Sequence, residues 1–292
     1  MTVFALALVV SAALLHSIWN LLYKRAKDKA SFAWLFGMAA VLLYLPAFLL
    51  LVGRQPIPQQ AWYVIAASGV IHTFYFAFLG KGYSVGDLSL VYPLARGTGP
   101  LLVPIWAGIF LGERPSAIGL AGILSVVGGV YILHLREVSF QGLLLPLRSI
   151  RTRPTRIALF SGLLISLYTV VDKVGVSYLD PLVYMYLFTA LYSLLYGPYV
   201  VWNSGLKAIE TELRINALPI LAVGFLMVFT YVMVLHAMTM SNVSYVAAAR
   251  ELSVVFGAAM GTLLLKESYG RSKLAGSLLI ALGVTMIGLA QG

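Results

Sequence analysis

The 292-residue chain contains no cysteine, which removes disulfides, thiolate metal sites and thiol catalysis from consideration. Charge is scarce as well. Asp, Glu, Lys and Arg make up 10% of residues, against about 25% in an ordinary soluble domain. No phosphate-binding loop, dinucleotide fingerprint or HExxH motif occurs. Gly82 to Gly86 fits GxSxG, but a nucleophile elbow needs a strand-to-helix turn, and the pattern here lies between two apolar runs. These absences leave no basis for an enzyme, a metal centre or a cofactor. What the chain has instead is apolar length: 61% of residues are hydrophobic, more than a water-soluble core can hide.

A membrane-spanning helix takes about 20 apolar residues, and the sequence divides into ten such runs: 3–23, 31–52, 60–82, 87–111, 115–134, 156–175, 180–203, 215–238, 241–265 and 270–290. The first run is followed, not preceded, by Lys24, Arg25, Lys27 and Lys29, the reverse of a cleaved signal peptide, so it reads as a retained span. Connections after odd-numbered spans carry 15 of the 20 Lys and Arg, and those after even-numbered spans only Arg54 and Arg114. The positive-inside rule then predicts odd connections in the cytoplasm and both termini outside it. The net charge of +10 is accordingly a topology signal, and nucleic acid is not an expected partner.

The chain also repeats. A gapless shift of 154 residues sets Ala95-Arg96 on Ala249-Arg250, Glu113 on Glu267, Leu120-Ala121-Gly122 on Leu274-Ala275-Gly276, and Gly129-Val130 on Gly283-Val284. Nearer the start, Ser17 to Asn20 falls on Ser166 to Thr169, and Lys24 on Lys173. Residues 1–134 form the first five-span unit, 135–155 a polar linker, and 156–292 the second unit. Because five is odd, the second unit enters the membrane from the opposite side. The expected fold is an all-α integral membrane protein of ten helices, two inverted five-helix repeats around a central cavity.

Arg96 and Arg250 lie about 13–14 Å into their spans at about 1.5 Å per residue, one counted from each side of an apolar layer about 30 Å thick. Both therefore reach the midplane, where an arginine costs about 2.5–3.5 kcal/mol unless a partner, a wet cavity or a ligand relieves it. Two readings stand: a structural ion pair of Arg96 with Glu251 across the repeats, and a pair of solute-facing cations. Pro93, Pro100 and Pro104, with Gly97 and Gly99, predict a bent or opened helix beside Arg96. Trp19 and Asn20 on span one and Tyr168 on span six, with Tyr92 on span four, form a candidate aromatic and amide wall. Glu251, His16 and Asp172 are the candidates for proton coupling. His72 and His236 read as packing residues, and the GxxxG pairs Gly108/Gly112 and Gly257/Gly261 as close helix contacts.

Several of these strings resemble a known family. His16 to Asn20 with Lys24, Gly86 to Gly97 leading into Leu111-Gly112-Glu113-Arg114, Tyr168 with Asp172-Lys173, and Arg250 to Ser253 followed by Leu265-Lys266-Glu267 look like the EamA branch of the drug/metabolite transporter superfamily. The resemblance covers nearly the whole chain. It implies a ten-helix carrier of the plasma (bacterial inner) membrane, commonly an exporter, working by alternating access. The expected solute is a small polar metabolite with an anionic or zwitterionic group, such as an amino acid, organic acid or aminophosphonate. A lipid or lipid-carrier translocase recognising a phosphate headgroup is the alternative. Membrane lipid is the other expected partner, and a homodimer stays open. Many members of the family carry the basic cluster after span two; here it follows span one, which sets the predicted outside termini against the family's usual placement.

Overall fold

The computed structural model describes residues 1–54, 56–85, 88–135, 151–265 and 270–290. Among them are eleven helices and no strand: α1 (Val3–Lys24), α2 (Lys29–Val52), α3 (Gln59–Val85), α4 (Leu88–Leu111), α5 (Ala117–Leu133), α6 (Arg153–Tyr178), α7 (Pro181–Ser204), α8 (Leu206–Met240), α9 (Val243–Ala249), α10 (Leu252–Leu265) and α11 (Arg271–Leu289). Helices α9 and α10 together make the ninth span, so the ten expected spans are present. Eight stretches are long and apolar enough to cross a membrane, while α5 is shorter at 17 residues. The helix starts are written in the sequence. Thr2, Asp28 and Ser116 accept hydrogen bonds from the backbone N–H three residues on, and Asp180 does so ahead of Pro181, each satisfying a donor that the first turn leaves free. Most of the linker, residues 136–150, and Gly86, Asp87, Lys266 and Glu267 lie outside the described residues.

Large apolar side chains such as Leu50, Trp202, Leu218 and Leu278 stand exposed on the outside of the bundle, where lipid is the matching solvent. The inside is organised by contacts between repeats. Helix α3 packs on α6 as α1 packs on α8, α4 on α6 as α1 on α10, and α2 on α8 as α3 on α7. Each pairing is the image of the other when the two units exchange.

The closest seam is between α5 and α11. A Cβ on Gly122 would lie 2.7 Å from the Gly283 carbonyl oxygen, and one on Gly129 would lie 2.8 Å from that of Gly276. Gly122 corresponds to Gly276 and Gly129 to Gly283 in the repeat, so these two contacts are interchanged by a pseudo-two-fold axis between antiparallel helices. Only glycine lets the backbones approach this far. The expected GxxxG contacts are elsewhere in character: Cβ atoms on Gly112 and Gly257 would meet nothing within 4 Å, and on Gly108 nothing nearer than 3.6 Å.

Span four, where a bent or opened helix is expected beside Arg96, is one continuous helix, and the irregular hydrogen bonding falls in span nine. Helix α4 runs through Pro100 and Pro104, and α6 lies directly against it. Gly162 is so close that its Cβ would sit 2.5 Å from Thr98 Cβ and 2.9 Å from the Ala95 carbonyl, and this packing holds the turn that the prolines weaken. Span nine has no proline, yet it tightens at Arg250-Glu251. Glu251 N–H bonds to the Ala248 carbonyl, Ser253 N–H to Arg250 and Val254 N–H to Glu251, a run of i→i−3 bonds of the kind that marks strain or a hinge inside a helix. A second irregularity, at Asn216 in α8, separates a short helical segment, residues 206–215, from the eighth span proper.

Carboxylates tie the ends of the bundle. Glu113 accepts from the N–H groups of Val243 and Ser244, at 2.7 and 3.2 Å, at the start of α9. Near it, Lys173 Nζ donates to the carbonyls of Met238 and Ser241 at the end of α8. Both place charge where a helix terminus favours it. At the other end, the buried Glu212 accepts from Lys27 and Asp28 N–H, at 3.3 and 2.9 Å.

The glycine seam has a direct test. Gly283→Ala puts a methyl 2.6 Å from the Gly122 carbonyl and is expected to destabilise the protein by about 1–3 kcal/mol. Gly128→Ala, whose nearest neighbour is 3.6 Å away, is expected to leave the unfolding temperature in detergent unchanged.

Candidate functional site

The tight turn of span nine delivers Arg250 and Glu251 to the interior beside α4. Arg96 Nε donates to Glu251 Oε2 at 3.1 Å, and Arg96 Nη2 to Ser253 Oγ at 3.0 Å. Arg96 is 8% exposed and Glu251 4%, so both charges are out of solvent and compensate each other. Two readings of the sequence can coexist, an ion pair and a solute site; the structure shows the pair. Its pseudo-symmetric counterpart is missing for a reason visible in the repeat: the position equivalent to Glu251 is Gly97. Among the described residues no carboxylate lies within 4 Å of Arg250. Its guanidinium carbon sits instead 5.0 Å from the centroid of the Tyr231 ring, a cation–π contact.

Arg96, Arg250, Glu251, Tyr168, Thr169 and Ile165 line a cavity of about 10 Å³ between α4, α6 and the span-nine turn. That is room for about one water. Four of the expected residues thus line one small gap between the two units. A larger open cleft of about 420 Å³ at the ends of α2 and α6, lined by Leu51, Arg54 and Val176 to Asp180, shares no lining residue with it.

The other expected residues are placed as follows. Tyr92 lies one turn before Arg96 on α4, its ring 5.4 Å from that of His134. His16 is near enough to both guanidiniums to interact with them, and its ring meets Trp19 edge-on at 4.5 Å. Trp19 is turned into an aromatic cluster with Phe32, Phe36 and Tyr192, and its buried indole N–H has no acceptor among the described residues. The Asn20 amide donates to the His16 carbonyl at 2.9 Å. The α1 residues therefore stand beside the cavity and do not line it.

Asp172 is fully buried and is the centre of a second cluster. Ser68 and Tyr184 hydroxyls donate to Oδ1 at 2.6 and 2.8 Å, and the Tyr231 hydroxyl donates to Oδ2 at 2.5 Å. His72 Nε2 lies 4.0 Å from Oδ2. The imidazole is held between Tyr168 and Phe188, with ring centroids 4.2 and 4.7 Å away. Tyr231 joins the two centres, its hydroxyl on Asp172 and its ring under Arg250. Reading His72 as packing missed this, and Ser68, Tyr184 and Tyr231 carried no signal in the sequence. Their partners sit on different helices, so no spacing along the chain reports them. His236, by contrast, is exposed on α8.

Comparison with known proteins agrees with this architecture. The family model described as "EamA-like transporter family" matches residues 3–135 and 156–289. A solved structure titled only "Crystal structure of protein" is similar over 98% of this chain and 96% of its own, with a TM-score of 0.68 at 16% identity. Its likeness concerns the fold. No curated protein matches.

Breaking a buried ion pair from one side leaves an uncompensated charge at a cost of about 3–5 kcal/mol. Arg96→Gln is therefore expected to lower the unfolding temperature strongly, and the double change Arg96→Gln with Glu251→Gln to recover more than half of that loss. Arg250→Gln, which strands no carboxylate, is expected to stay within about 1 kcal/mol of the parent. Equal losses at Arg96 and Arg250 would contradict this division of roles.

Proposed function

The chain belongs to the EamA-like transporter family, and from that premise we propose that it is a multi-pass secondary carrier or facilitator exporting a small metabolite with an anionic or zwitterionic group. Members of this family are membrane transporters, so an enzymatic role is not part of the reading. The observation that carries the solute class is Arg250. It is a guanidinium at membrane depth, on the wall of the inter-repeat cavity, with its repeat-related carboxylate replaced by Gly97. A partly buried cation with no carboxylate partner among the described residues is costly in hydrocarbon, and a solute carboxylate or phosphonate relieves that cost by bidentate pairing. Glu251 beside it, held by Arg96, offers an acceptor for the ammonium of a zwitterion. Tyr168 supplies an aromatic wall.

Alternating access fits the same geometry. The Arg96–Glu251 contact joins α4 of the first unit to span nine of the second, and the i→i−3 turn at Arg250-Glu251 gives that span a place to flex. Opening the cavity to one side separates the units at this point while the α5–α11 seam holds them elsewhere. In the proposed orientation the basic connections, 24–29, 136–156 and 266–273 among them, face the cytoplasm of a bacterial cell, and both termini lie outside.

Two experiments test this. A thermal-shift screen of amino acids, organic acids and aminophosphonates on the purified protein is expected to yield a stabilising solute, and proteoliposomes to transport it. Arg250→Gln should reduce that transport by about 100-fold, the worth of a lost charged hydrogen-bonded contact. Full activity in Arg250→Gln would refute the assignment, and movement of labelled phospholipid in the same vesicles would favour a lipid translocase. Orientation is separately accessible because the chain has no cysteine. In intact cells a membrane-impermeant maleimide is expected to label Arg54→Cys and to reach Lys207→Cys only after permeabilisation.

A further inference from the structure

The cluster around Asp172 has one unfilled hydrogen-bond position, and its chemistry is specific. A carboxylate offers about four lone-pair sites. Ser68 and Tyr184 occupy two on Oδ1, and Tyr231 occupies one on Oδ2. The remaining Oδ2 position faces His72 Nε2 at 4.0 Å. Which nitrogen of His72 carries hydrogen follows from its other side. Nδ1 lies 2.9 Å from the Ser68 carbonyl oxygen, which can only accept. It also lies 3.2 Å from Ser68 Oγ, whose own hydrogen is directed at Asp172. Both contacts assign the hydrogen to Nδ1, so in the neutral ring Nε2 is bare. Two bare acceptors thus face each other across a buried gap, with Tyr168 and Phe188 fixing the imidazole plane between them.

We propose that His72 and Asp172 together bind one proton, between Nε2 and Oδ2, and that its binding is linked through Tyr231 to the binding of an anion at Arg250. The link rests on the carrier reading above and adds its coupling. The charged and titratable groups facing the pair, His72 on α3 and Asp172 on α6, are Tyr168 on α6, Tyr184 on α7, Tyr231 on α8 and Arg250 at the span-nine turn. Beyond Arg250 lie the mutually compensated Arg96 and Glu251, with His16 on α1. Of these, Arg250 is the cation whose charge an incoming anion changes. While bare, it opposes a proton on the pair; once an anion neutralises it, that opposition ends. Tyr231 carries the same sign, because its hydroxyl on Oδ2 stabilises the carboxylate and its ring supports the guanidinium. Linkage is reciprocal: the anion tightens the proton and the proton tightens the anion. The loaded carrier then moves one anion with one proton in the same direction.

The test needs no solute. The chain has four histidines, so ¹⁵N-histidine NMR of the purified protein in nanodiscs resolves them, with His72 identified by His72→Gln or, if that variant misfolds, by elimination using His16→Gln, His134→Gln and His236→Gln. His72 is expected to show a bare Nε2 at high pH and to gain a proton there as the pH is lowered. In Arg250→Gln and in Tyr231→Phe the proton should be held about tenfold more tightly, so that the transition moves about one pH unit upward. A hydrogen on Nε2 throughout, no protonation of Nε2 at any pH at which the protein stays folded, or a wild-type transition in both variants would overturn the proposal. Failure of transport with this titration intact would count against the carrier reading and not against the proton site, and the converse result would separate them the other way.

Discussion

Hydrocarbon gives a charged group no water to fall back on, and the interior of this protein is arranged around that fact. A charge brought into such an interior is least costly when it arrives with its compensation. Arg96 and Glu251 do so across the unit boundary, and this contact sets where α4 meets span nine. Asp172 does so through three hydroxyls from three other helices. The positions of α3, α7 and α8 around α6 are therefore coupled to the state of one carboxylate. Packing at the glycine seam supplies the close contact of the units, and the polar interior decides how they must face each other.

Much of the architecture was legible because it depends on quantities that a sequence displays directly. Span length, loop charge and a 154-residue repeat predict ten helices in two opposed units, and the depth of Arg96 and Arg250 predicts their meeting. The repeat even encodes the asymmetry of the site, since Glu251 aligns with Gly97. The position of the helix break was not legible. Prolines mark where a helix loses hydrogen bonds, but whether the turn opens depends on its neighbour, and Gly162 brings α6 hard against α4 at Thr98. Span nine yields without a proline, at the point where its buried carboxylate is engaged.

The aromatic and polar cluster was illegible for a different reason. Ser68, His72, Tyr184 and Tyr231 are ordinary residues on apolar helices, and their significance comes only from meeting Asp172. Trp19 shows the converse. It reads as part of a binding wall because it is large and amphipathic, and in the fold its ring packs on Phe36 and its neighbours. Residue type alone could not separate these outcomes, because both are decided by rotation of a helix about its axis.

The interchange of Gly122–Gly283 with Gly129–Gly276 has an implication for energetics across the membrane. If both units were identical, exchanging their conformations would turn a molecule open to one side into the same molecule open to the other, and the two forms would be equal in free energy. The substitution of Gly97 for a second Glu removes that degeneracy. Half of the interior keeps an internal counter-ion and half does not, so Gly97 against Glu251 is one of the differences that make the two units unequal.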